Sequence, residues 1–231
     1  DRRFERLIEE AAHNFFKKAS ERACNYWLPM VSDLKGIIIG GPGATKDFVV
    51  KNDYFHHEIK KLIAEPFFDV GYSNESGLRE LVQRAGSTMD QIELDVERTI
   101  VDRFLQEVMQ ANPKATYGEV MIRSALDQGA VETLLISEAV TKRRVQWICK
   151  EGKNTWKTSH DKSSAPPNCP ECGSDKVFED EENSMELIDE LTVLAGHTSA
   201  KVRIISLDTE EGATLNTAFG GIAALLRYAI S

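Results

Sequence analysis

The chain has 231 residues, of which 42% are hydrophobic and 28% charged, and its formal net charge is −9. That length accommodates one large domain or two ordinary ones, and the acidic balance argues against a dedicated nucleic-acid binder, which carries a basic patch or stripe. No stretch approaches the roughly 18 uninterrupted apolar residues of a membrane helix. The sequence opens at Asp1 inside an amphipathic pattern, without Met and without a signal-peptide layout, as expected of a piece of a longer protein.

Residues 1–28 predict a helix: Phe4, Leu7, Ile8, Ala11, Phe15, Ala19 and Ala23 recur at spacings of three and four, and Pro29 ends the pattern. Residues 34–39 read as a buried strand, turned by Gly40-Gly-Pro-Gly43 into a short segment from Asp47 to Val50. A helix is expected over 56–64, a strand over 66–72, and helices over 76–84 and 89–111. Asn112-Pro113 is a turn signal, and the domain boundary is placed there, giving domains 1–111 and 112–231. The second half restarts the alternation with a helix over 117–128, strands over 131–137 and 144–149, a polar, turn-rich segment over 152–167, a helix over 185–195, a strand over 201–206 and a closing strand within 219–230. Strands alternating with helices in both halves imply two α/β domains.

Two constellations invite chemistry. Gly40-Gly-Pro-Gly-Ala-Thr-Lys46 follows a strand as a phosphate loop does, but Thr45 stands where such a loop needs glycine and Asp47 where it needs Ser or Thr. An aspartate at a metal-binding hydroxyl position repels a triphosphate, so a tight turn is the favoured reading. Cys169-Pro-Glu-Cys172-Gly173 is half of a zinc knuckle, with two thiolates on a turn able to face one tetrahedral ion. The other half is incomplete: Cys149 is followed by Gly152 where a partner cysteine belongs. A structural zinc site of Cys149, Cys169 and Cys172, completed by His160 or a water, and a knuckle that holds no metal both remain open. Four cysteines in all, with Cys24, are too few for a disulfide scaffold of this length and point to a reducing, cytoplasmic setting. No histidine forms a triad pattern with a nucleophile and a carboxylate, and the acidic run Glu179–Glu182 reads as a solvated loop. No residue is assigned a catalytic role.

Three segments carry a resemblance. Arg3-Phe-Glu-Arg-Leu-Ile-Glu-Glu-Ala-Ala-His13 resembles the helix that follows the Gly-Gly-Gln loop of archaeal and eukaryotic class-I translation termination factors. Gly129-Ala-Val-Glu-Thr-Leu-Leu-Ile136 resembles the first strand of their C-terminal domain, and Phe219-Gly-Gly-Ile-Ala-Ala-Leu-Leu-Arg-Tyr228 its closing strand. The resemblance implies an RNase H-like middle domain and an L30e-like α/β sandwich with a small zinc-ribbon-like insert at about 150–178. It implies stop-codon-dependent peptide release on the ribosome, with the peptidyl-tRNA, a translational GTPase of elongation-factor type and an ABC-type recycling ATPase as partners. The Gly-Gly-Gln motif and the codon-reading domain are absent from this sequence. The resemblance places Gly221, Ile222, Leu225, Leu226, Arg227 and Tyr228 at the GTPase docking surface, with core burial the alternative for Ile222, Leu225 and Leu226 and exposure expected of Arg227 and Tyr228. It places Arg2, Arg3 and Arg6 near RNA phosphates at the helix N-terminus. The half-knuckle and the glycine-rich loop at 40–43 look archaeal. The rival readings are a Pelota-like ribosome rescue factor and a nucleotide-binding enzyme using the loop at 40–46.

Overall fold

A computed structural model describes residues 2–152 and 154–230, with the backbone alone at 2–5. The chain divides into two compact units, Asp1–Val96 and Glu97–Ser231.

In the first unit, α1 (Arg2–Trp27) leads through a 3₁₀ turn at Leu28–Met30 to β1 (Ile37–Gly41), α2 (Thr45–Lys51), α3 (His57–Lys60), β2 (Ile63–Asp69), α4 (Glu75–Arg84) and the start of α5 (Gly86–Val108). β1 and β2 pair in parallel. The core is small: Cys24, Ile37 and Ile59 are buried, with Trp27, Leu28 and Ile63 packed against them. α4 lies so close to β1 that a Cβ on Gly40 would stand 2.7 Å from Leu81 Cδ1, which accounts for glycine at the strand's end. The helix expected over 56–64 is confined to His57–Lys60, because Ile63 and Ala64 are drawn into β2 by pairing with Ile37 and Ile38.

The second unit is a three-layer α/β/α arrangement. It comprises the remainder of α5, β3 (Ala115–Tyr117), α6 (Glu119–Asp127), β4 (Val131–Ser137), β5 (Arg143–Cys149), β6 (Thr155–His160), β7 (Val177–Glu186), α7 (Leu187–His197), β8 (Lys201–Ile205), α8 (Glu210–Phe219) and β9 (Ile222–Leu226). The main sheet has the order β3-β9-β4-β8, with β4 and β8 parallel and β9 antiparallel to both β3 and β4. Both faces are covered. Leu134, Ile136, Ile222, Ala224 and Leu226 pack on Ile122 and Leu126 of α6 and on Leu187 and Leu191 of α7. Leu135, Ile205, Ala223 and Leu225 pack on Val101 and Phe104 of α5 and on Leu215 of α8. A sheet buried on both faces needs near-continuous apolar strands, and Val131–Ser137 and Ile222–Leu226 supply them.

β5, β6 and β7 form a separate antiparallel sheet of order β6-β5-β7 between β4 and α7 in the chain. Here the structure departs from the expectations. The segment over 152–167 contains β6, and the acidic run Glu179–Glu182 lies within β7 and not in a loop. The acids are tolerated on a strand because β5 supplies counter-groups: Arg143 Nη1 donates to Glu179 Oε1 at 2.5 Å and Gln146 Nε2 to Asp180 Oδ2 at 3.2 Å. α8, which carries no strong apolar period, is started by Thr209, whose buried side chain accepts from Gly212 N–H at 3.0 Å.

The division of the chain falls inside α5, not at the Asn112-Pro113 turn, because packing outweighs the local turn signal. Phe104 is fully buried and meets Phe219 edge to face at 5.0 Å, and Arg103 makes two bonds to Glu132 on β4 at 2.7 and 2.9 Å. Phe104→Ala should therefore lower the stability of the second unit by about 3–5 kcal/mol. Hydrogen exchange should show faster opening at β4 amides with β1 amides unchanged; acceleration restricted to β1 would contradict this assignment of α5.

Candidate functional site

Cys149 ends β5 opposite Val177 of β7. The chain between β6 and β7 folds into a tight turn in which Cys169 N–H donates to Ser174 O at 2.8 Å and Gly173 N–H to Cys169 O at 2.9 Å. Gly173 takes φ +72°, a conformation that glycine adopts without a Cβ clash. The result brings the sulfurs of Cys149, Cys169 and Cys172 within 4.8 Å of one another, with Cys149 and Cys172 3.6 Å apart. Cys149 and Cys169 are buried and Cys172 is exposed. The Cys172 amide N–H outweighs desolvation and holds the Cys169 thiol below the usual cysteine range, helped by the Glu171 amide. At Cys172 the Ser174 amide favours the thiolate, but the Cys169 and Cys149 thiols together push its value up. Three converging soft donors are the chemistry of a d¹⁰ cation such as zinc.

His160 does not join them. It pairs with Arg143 at the opposite end of the seven-residue strand β5, on the order of 20 Å away at ~3.3 Å per residue. Its Nε2 meets Ser164 O at 3.1 Å, and its ring stands edge-on to Trp147 at 5.1 Å. The expectation that His160 could complete the site is corrected by the antiparallel register.

The proposed docking strip is mostly core. Ile222, Leu225 and Leu226 are buried between the helical layers and offer no surface to a partner. Gly221 is buried too, at φ +78°, where a Cβ would stand 2.8 Å from Val140 Cγ2. Arg227 and Tyr228 are exposed, yet their polar ends bind within the chain. Arg227 donates to Gly129 O at 2.7 Å, Thr198 O at 2.9 Å and Ser199 O at 3.3 Å, and Tyr228 Oη donates to Gln128 O at 2.8 Å. These carbonyls lie just beyond the C-terminal ends of α6 and α7, so the guanidinium satisfies two helix termini at once.

In the first unit, Lys46 is buried and turned back on its own loop, donating to Gly43 O and to Asp69 Oδ1, each at 2.6 Å. The lysine that a phosphate loop would aim at a nucleotide is thus committed to closing the turn, which overturns the nucleotide reading of 40–46. Arg6 and the apolar residues Leu7 and Ile8 are exposed on the first turns of α1, while the side chains of Arg2 and Arg3 lie outside the described residues.

Sequence reasoning missed the polar joint that seats the small sheet. Arg123 of α6 donates to Glu119 Oε1 at 2.9 Å and to Glu190 Oε2 of α7 at 2.5 Å. Arg144 of β5 stands 3.6 Å from Glu190 Oε1, and Ser159 of β6 donates to Glu119. The Glu119–Arg123 spacing of four on a helix was the available signal. Arg227→Ala should cost about 1–2 kcal/mol of stability and Tyr228→Phe about 1 kcal/mol, read from urea denaturation midpoints. Unchanged midpoints would show that neither side chain clamps the helix ends.

Residues 1–91 match the family eRF1 domain 2, and residues 94–230 match eRF1 domain 3. Peptide chain release factor subunit 1 of Picrophilus torridus is 40% identical over 228 residues, covering 98% of this chain and 54% of that protein. Its counterpart from Archaeoglobus fulgidus is 43% identical over 227 residues, with the same coverage of 98% and 54%. The chain therefore spans about half the length of the curated relatives it matches. Among solved structures, the C-terminal domain of a peptide chain release factor from Methanosarcina mazei is similar at a TM-score of 0.56 and 38% identity, covering 68% of this chain and 98% of that one. A ribosome-bound archaeal Pelota shares the fold at a TM-score of 0.59 and 20% identity, over 95% of this chain and 50% of that one. With both domain families matched in order and archaeal relatives at about 40% identity, the chain belongs to the peptide chain release factor subunit 1 family.

Proposed function

We propose that this chain is the middle and C-terminal part of an archaeal-type translation termination factor, working in the cytoplasm in stop-codon-dependent peptide release. The observation that carries the reading is the ordered match to eRF1 domains 2 and 3 together with 40–43% identity to archaeal release factors. In this reading the chain is no enzyme by itself. It supports a Gly-Gly-Gln tip that triggers hydrolysis of the peptidyl-tRNA ester in the peptidyl transferase centre. The basic start of α1, with Arg2, Arg3 and Arg6 at a helix N-terminus, lies near ribosomal RNA phosphates, where local positive charge is enough. The second unit is the docking domain for a translational GTPase of elongation-factor type and, after release, for an ABC-type recycling ATPase. Arg227 and Tyr228 contribute through their exposed aliphatic and ring faces, their polar ends being bound internally. Cys149, Cys169 and Cys172 hold a structural zinc ion, in keeping with their convergence.

Joining this chain to the upstream half of the Archaeoglobus fulgidus factor, in place of that factor's own second half, tests the reading. On archaeal ribosomes carrying a labelled peptidyl-tRNA, the chimera should release peptide at a stop codon and not at a sense codon. A folded, ribosome-bound chimera that releases no peptide would contradict termination. Recruitment to stalled ribosomes without any stop-codon preference would favour the rescue reading instead.

A further inference from the structure

We propose that Gly152 leaves one corner of the thiol site open, so that an ion held by Cys149, Cys169 and Cys172 takes its fourth ligand from solution, as an exchangeable water or small thiol. This rests on the zinc reading given above.

Cys149-Lys-Glu-Gly152 has the spacing of Cys169-Pro-Glu-Cys172, and the backbone repeats the equivalence. Gly152 N–H donates to Cys149 Sγ at 3.3 Å, which folds residue 152 back over the sulfur. A Cβ built on Gly152 would stand 3.8 Å from Cys149 Sγ, so a side chain there would start in contact with one sulfur of the cluster. Gly152 is not among the left-handed glycines, and its backbone would accept a side chain. The nearest obstacle is Asn154 Nδ2 at 3.1 Å, the far end of a flexible side chain. Glycine is thus required here neither by the turn nor by rigid neighbours, and what it supplies is room beside the Cys149 sulfur.

The neighbour nearest that space is the Asn154 amide, which is neither a thiolate, an imidazole nor a carboxylate. Among the described residues, the group of ligand atoms that one ion could gather stops at the three thiols. The nearby carboxylates are committed elsewhere: Glu171 accepts from Asn154 Nδ2, and Glu151 accepts from Lys176 Nζ at 2.6 Å. His160 is a strand length away. With three protein ligands, a tetrahedral ion leaves its fourth position to water or another small ligand, whereas a closed site uses four. The exposed thiol, Cys172, gives solvent access to the site.

The test compares the native chain with Gly152→Cys, using Co(II) as a spectroscopic probe and zinc transfer to a chromophoric chelator. The native chain should bind one Co(II), and imidazole or a small thiol should shift its visible absorption bands. Gly152→Cys should show a four-thiolate spectrum that ignores both additives, and should hold zinc about a hundredfold more tightly, with slower transfer to the chelator. A native chain that binds Co(II) but gives bands insensitive to both additives overturns the proposal alone, whatever the variant does. A native chain that takes up no Co(II) at all, while staying folded by circular dichroism, overturns the zinc reading and the proposal with it.

Discussion

The second unit depends on the burial of β9. That strand is hydrogen-bonded on both edges, to β3 and to β4, and it is covered on both faces. Its alternation divides Ile222, Ala224 and Leu226 from Ala223 and Leu225, and each set closes a different helical layer. A slip of one residue would exchange the two sets and disrupt both cores at once. The entry into the strand is equally constrained: Gly220 and Gly221, at φ +71° and +78°, reverse the chain from α8 into β9. Its exit places Arg227 and Tyr228 on the carbonyls that follow α6 and α7. A segment that looks like a recognition motif in the sequence is first of all the central wall of the domain, and any docking role falls to the residues at its exposed end.

The small sheet is held by different physics. It contributes few large apolar side chains, chiefly Val145 and Trp147, too few to stabilise a sheet of that size alone. Its attachment is polar, through Arg144 and Ser159 to the Glu119–Arg123–Glu190 network on α6 and α7. Partly buried ion pairs of this kind fix geometry more than they add stability, and losing one partner leaves the others uncompensated. At the opposite end of β5, the three thiols gather where a bound ion would tie the loop before β7 to the strand. The sheet is therefore fastened at one end by charge, while at the other end three thiols converge.

Much of the fold was legible in the sequence where burial is two-sided or where a helix carries a clean apolar period. Val131–Ser137 and the helix at Arg2–Trp27 are such elements. β6 and β7 were not legible, because their polar residues are neutralised by partners on β5 that no local pattern reveals. The boundary was misplaced for a related reason: Asn112-Pro113 is a strong turn, but Val101 and Phe104 commit the second part of α5 to the second unit. Residue type alone singled out Cys149, Cys169 and Cys172, since thiols at this spacing are uncommon outside metal and redox sites. The sequence could not place His160, whose distance from the thiols follows from the register of β6 on β5. It did allow Ile222, Leu225 and Leu226 as core and Arg227 and Tyr228 as exposed, because a charged and an aromatic residue follow the apolar run Ile222–Leu226.

Native-state hydrogen exchange of the free chain tests the central claim about β9 most directly. If the strand is the wall on which both cores close, the amides of Ala223, Ala224 and Leu225 exchange only through global unfolding of the second unit, at the same rate as those of Leu134 and Leu135. Rapid exchange along 222–226 while the β4 amides stay protected would mean that the strand detaches from a folded domain, and would contradict the account.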